Sequence, residues 1–243
     1  MKYTTIKELH NGLEMLRIYA AKSFGTVAKG DKGGLIEKKE NLSQGGNAWI
    51  DGDARVYGNA EVFGNAEVFG NAEVFGNAQV SGDARVFGYA EVYENAHVYG
   101  NAEVDVNAQV FGNADVYGDA HVSGDAQVFG NAHVSEHAQV SEHAQVFEHA
   151  RVSGDAQVFG NAEVFGNAEV YENAYVSGAC SIRPVVITGL KYNITKLDND
   201  IQIGCQFHSK TYWKTCSDSD ILAMDGKEAL LFWRKYKDAI LAL

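Results

Sequence analysis

NAWIDG-DARVYG-NAEVFG-NAEVFG, residues 47–70, opens a series of six-residue units of the form Asn/Asp-Ala-x-Val-x-Gly. Alanine recurs at 48, 54, 60 and every sixth position to Ala174, 22 times, and Cys180 takes the next place. Two residues on sits an aliphatic, Ile50, then Val56 and Val62 onward to Val176, closing with Ile182. No insertion breaks the register from 47 to 182. A period this strict marks a solenoid, whose units stack on their neighbours, rather than a globular core.

Alanine and valine two apart on an extended stretch point to one side, because strand side chains alternate. The residues flanking each valine point the other way: Glu, Gln, Arg or His before it, Phe, Tyr or Ser after it. Gly followed by Asn or Asp supplies a corner, since these residues tolerate positive φ best. Each hexad is one short strand and one bend.

The pattern aliphatic-x-x-x-small-x, as in Val62-Phe-Gly-Asn-Ala66-Glu, resembles the hexapeptide repeat of left-handed parallel β-helices, the superfamily that includes the trimeric acyltransferases. The array's regularity also resembles prophage-type repeat proteins. The first resemblance implies three hexads per triangular coil, so that residues 18 apart stack vertically. The expected fold is an all-β solenoid, a left-handed parallel β-helix of about 7–8 triangular coils with a small α+β C-terminal cap. Stacked at ~4.8 Å, the coils make a shaft roughly 36 Å tall. Three segments follow: an N-terminal cap (1–46), the β-helix (47–182), and a C-terminal hairpin-plus-helix cap (183–243).

The net charge of −12 is unevenly placed. The shaft carries 20 Asp/Glu against 3 Arg, whereas both end segments are slightly basic. An acidic shaft argues against phosphate-mediated binding to nucleic acid or to an anionic membrane. Cys180, Cys205 and Cys216 lack any metal or disulfide-scaffold spacing, and no apolar signal core opens the chain. A reducing, cytoplasmic setting is expected.

The ends read differently. Leu13, Met15, Ile18 and Tyr19 suggest a short extended segment, and residues 29–34 a turn. Arg183-Pro184 should end the array. Leu190, Tyr192 and Ile194 face Ile201, Ile203 and Cys205 across residues 196–200 as a hairpin, with Trp213 and Phe207 expected to fill a small core. Ser217 or Asp218 should cap a short helix, followed by a second from Lys227 to Leu243.

Corner glycine gives way to Glu at 94, 136, 142, 148 and 172 and to Val at 106. The dipeptides Glu136-His137, Glu142-His143 and Glu148-His149 look like a metal motif, but hexads six apart sit at three different corners, too far apart for a shared ion. His97, Asp115 and His133 stack in one column, yet lack a fourth ligand, so a solvated ladder is expected. The acyltransferases carry a catalytic His near a loop that interrupts the coils; this array has no loop. No catalytic residue, cofactor site or metal site is assigned.

One column does stand out. Sorting the residue after each valine by its place in the 18-residue coil gives Tyr57, Phe75, Tyr93, Phe111, Phe129, Phe147 and Phe165, all aromatic, while the other two columns mix in Ser and Asp. Such a stripe exceeds the apolar surface that soluble monomers usually expose, and something should cover it. A homo-oligomer interface is the primary expectation. The last helix, a flat ligand such as a sugar, and plain ring-on-ring stacking are the alternatives. The expected function is a non-catalytic scaffold or binding protein of phage or prophage type, acting through its faces, with further copies of itself or a host protein as partner. The alternatives are an acyltransferase-like enzyme with an inter-protomer site, and an acidic inhibitor of a host nucleic-acid-binding enzyme.

Overall fold

The structure, a computed structural model, describes residues 1–178, 180, 185–187 and 189–243. Ile182, expected to close the aliphatic series, and Arg183-Pro184, expected to end the array, lie outside the described residues.

Every hexad forms a two-residue strand, from β4 (Trp49–Ile50) through β25 (Tyr175–Val176). Strands 18 residues apart pair in parallel and in register, as in Arg85↔Glu103 and Val86↔Val104. Three sheets result, each running along the shaft. The chain is therefore a parallel β-solenoid of about eight coils. Face I contains Arg55–Val56 and ends at Glu163–Val164. Face II runs from Trp49–Ile50 to Tyr175–Val176, and face III from Glu61–Val62 to Glu169–Val170.

The backbone ladder is continuous between coils. On face II, for example, the Glu67 and Phe69 amides donate to the Ala84 and Val86 carbonyls at 2.9 and 3.0 Å. Inside, every repeat alanine and valine is 0–1% exposed. Ala and Val side chains thus fill the inside of the coils.

The first 46 residues extend face I upward. β1 (Tyr3–His10) and β2 (Leu13–Ala20) form a hairpin about Asn11-Gly12, both in the left-handed region as a two-residue turn demands. β3 (Lys32–Ile36) pairs antiparallel with β2 and parallel with Arg55–Val56, giving a ten-stranded sheet whose outermost strand is β1. The open top of the first coil would leave carbonyls unpaired, and the cap supplies donors. Lys2 Nζ donates to Ala48 O (2.7 Å), Arg17 Nη1 to Gly52 O (3.0 Å) and Asn41 Nδ2 to Ala60 O (2.8 Å). These are three of the few buried polar side chains, each satisfied as burial requires.

At the other end, β26 (Val185–Ile187), β27 (Ile194–Lys196), β28 (Asp200–Ile203) and β29 (Gln206–Ser209) form a four-stranded antiparallel sheet. α1 (Lys210–Thr215) and α2 (Asp218–Ala242) follow, with Ser217 capping α2. α2 bends at Asp225 and Gly226, where the two helices expected from the sequence join. Trp213 packs with Ile201, Phe232 and Trp233 in the cap's core, as expected. Phe207 does not: with Leu197 it packs onto the shaft, its ring against Gly178. Period-2 alternation places Phe207 on a sheet face but does not say which neighbour that face meets.

Candidate functional site: the aromatic face

Face I carries the seven-ring column, and the geometry follows from the repeat. Each ring is the residue after an inward valine, so all seven project from one flank of one flat sheet. Successive centroids lie 4.8–5.4 Å apart from Tyr57 to Phe165, with interplanar angles of 2–3° over the first five steps and 12° at the last. The structure thus brings together all seven residues singled out by the column sort. It also shows their attitude. The rings lie face to face, each is half-buried, and only their outer edges reach solvent.

Polar ladders border this ridge. On the corner side Asn59, Asn77, Asn95, Asn113 and Asn131 hand one side-chain amide bond down the coils, at 2.9–3.2 Å. On the other side Gln127 donates to Gln109 at 3.2 Å and Gln109 to Glu91 at 3.4 Å. Amide ladders stabilise stacked strands much as they do in cross-β assemblies.

At its head the ridge meets the hairpin. His10, Leu13 and Met15 lean over Arg55, Tyr57, Glu37 and Glu73, leaving a cleft of about 410 Å³. Arg55 pairs with Glu73, whose second oxygen accepts from Tyr57 Oη at 2.9 Å. Burial, followed by that bond to a carboxylate, pushes the Tyr57 phenol well above its ordinary range. Arg55 Nη1 also lies 2.9 Å from His10 Nε2. A guanidinium can only donate, so His10 Nε2 is the acceptor in this contact.

The other flagged residues sit as the 18-residue column predicts. Asp115 bridges His97 at 3.3 Å and His133 at 3.4 Å on face III. His137 and His143 belong to separate corner columns, facing Asp119 at 3.6 Å and Asp125 at 3.3 Å. Among the described residues no group of three or more His, Cys, Asp or Glu has a geometry able to hold a metal ion. Glu136 and Glu148 reach one coil on, accepting from the Gly154 and Gly166 amides at 2.7 and 2.9 Å. Sequence reasoning missed a second feature, on face II. Arg85 lies 5.2 Å from the centroids of both Phe69 and Phe87 and bonds Glu103 at 2.8 Å, a cation–π clasp legible only once the columns are laid side by side.

The last helix does not cover the ridge. α2 buries Ile221, Phe232, Trp233 and Ile240 in the C-terminal core, so its apolar side is already occupied.

These features define a repeat β-solenoid protein. A family model described as the YdcK beta-solenoid repeat matches residues 78–94 and 108–124, each match about one coil long. No curated protein matches the chain. Among the described residues no helix is long and apolar enough to cross a membrane.

Proposed function

We propose that this chain is a non-catalytic scaffold of the left-handed hexapeptide-repeat kind and of prophage type, working in the cytoplasm and associating with further copies of itself through face I. The observation that carries the proposal is the ridge: seven rings in unbroken register along a flat sheet face. Two other occupants fit less well. A sugar stacks on open ring faces, and here every face except the outer ones of Tyr57 and Phe165 is taken by the next ring. The last helix, the other candidate cover for the stripe, packs in the C-terminal core. A second shaft presents the matching flat, laddered surface with the same ~4.8 Å spacing, so ridge edges can interdigitate coil by coil.

The absence of a catalytic role is supported by the uninterrupted register, which leaves no loop to carry reactive groups, and by a filled interior. Calorimetric titration with acetyl-CoA tests this part. No heat of binding is expected; saturable micromolar binding would move the chain to the acyltransferase reading.

A further inference from the structure

The ring ladder of face I stops at Tyr57, one strand short of the cap. β3 pairs in register with Arg55–Val56, and the Glu37 amide donates to Val56 O at 3.1 Å as the Tyr57 amide does to Val74 O at 3.0 Å. Glu37 therefore holds the place where an eighth ring would sit. Its carboxylate is drawn aside to the corner, where Oε2 accepts from the Gly58 amide at 2.6 Å. Tyr57 stacks on Phe75 at 4.9 Å, and no ring covers its other face. Above it the hairpin tip leans over, and the space between is the cleft of about 410 Å³. That size is typical of small-molecule sites, which run from ~300 to 1,000 Å³ and combine apolar walls with a few polar groups. The walls here are Tyr57, Met15 and Leu13, and Leu13 is 69% exposed.

The charges select the ligand. Three carboxylates line the cleft. Glu73 is paired with Arg55, and Glu14 with Lys7 at 2.5 Å. Arg55 is held by Glu73 and His10, so its charge is already matched. Glu37 has only the Gly58 amide and, among the described residues, no cationic partner.

We infer that this cleft binds a planar aromatic ligand bearing a protonated amino group, its ring stacked on Tyr57 and its N–H groups directed to Glu37. Such a ring continues the ladder by one step. Its positive charge meets both the negative face of the phenol ring and a carboxylate able to accept charge-assisted bonds. An anionic ring would bring like charge against Glu37, so phosphate-bearing cofactors are disfavoured. The site uses the open ring face at the ridge head, whereas lateral association of shafts uses the ring edges along it.

4-Aminoquinoline, a flat two-ring cation at neutral pH, is the probe. Calorimetry with the full chain should show saturable binding, and the ligand's ring protons should move upfield in its NMR spectrum, as stacking on Tyr57 requires. Quinoline, which lacks the amino group, should bind about tenfold more weakly. Glu37→Gln keeps an acceptor for the Gly58 amide but removes the charge, and should weaken the probe by about tenfold as well. Tyr57→Phe should bind as wild type, and Tyr57→Leu should lose the upfield shift. Phe165→Leu, which removes the ring at the far end of the same column, should change neither readout. Absence of saturable binding at millimolar probe, equal affinity for quinoline, or an upfield shift that survives Tyr57→Leu would overturn the inference.

Discussion

A Cβ placed on Gly118 would lie 2.8 Å from the backbone nitrogen of Glu136, one coil further on. Corner residues thus stack so closely that each side chain leans on the backbone of the next coil. The non-glycine corners at Glu94, Val106, Glu136, Glu142 and Glu148 keep the left-handed conformation, with φ of 59–60°, and each has glycine one coil before and after. Gly118→Ala should therefore lower the unfolding free energy by about 1–3 kcal/mol through overpacking. Val106→Gly should raise it by about 1 kcal/mol, since a β-branched residue is strained at positive φ. Denaturant titration of both variants checks the opposite signs.

The interior gives a sharper contrast. Ala108 is fully buried, whereas Gln109 beside it points outward into a ladder. Ala108→Leu should destabilise the chain by about 1–3 kcal/mol. Gln109→Leu should lie within about 1 kcal/mol of wild type, losing two long, part-buried amide bonds of the outer ladder. Equal melting temperatures for the two would mean that inside and outside are reversed.

Lys2 supplies a pH dependence. Its side chain is buried under the first coil, and burial, then the Lys22 charge, lowers its pKa from 10.5 to about 8. Between these values the unfolded chain binds more protons than the folded one, so stability rises with pH across roughly pH 8 to 10. Above that, the Tyr3 and Tyr57 phenols, held above their ordinary range chiefly by burial, work in the opposite direction. Lys2→Met should flatten the rise between pH 8 and 10 in thermal melts. An unchanged slope would assign it to another group.

Much of this was legible from residues, for physical reasons. A fixed period forces identical environments, so the Ala/Val interior, the corners and the seven-ring column follow from position alone. Ring attitude does not, because periodicity places a Cβ and leaves the side-chain torsions open; the half-buried, face-to-face stack had to be seen. β1 was missed because Tyr-Thr-Thr-Ile-Lys-Glu-Leu-His offers little apolar alternation, its pairing being set by the Asn-Gly turn. α1 was missed because six residues show no helical period. Phe207 joined the shaft rather than the cap core because docking between segments leaves no local signature.

The C-terminal cap makes a related prediction. Leu197 is fully buried against the last coils with Phe207 beside it. Deleting residues 183–243 should expose that end and produce aggregation or end-to-end association, seen by light scattering. A monodisperse fragment with the parent's assembly state would remove the capping role.

Face I itself is the central claim, and sedimentation velocity tests it most directly. Phe111→Ser with Phe129→Ser opens a gap in mid-ridge without touching the interior. The wild-type chain should sediment as an oligomer, and the double variant should lose the lateral contact while retaining its circular dichroism. A wild type that is monomeric at micromolar concentration, or a double variant whose assembly is unchanged, would contradict the account.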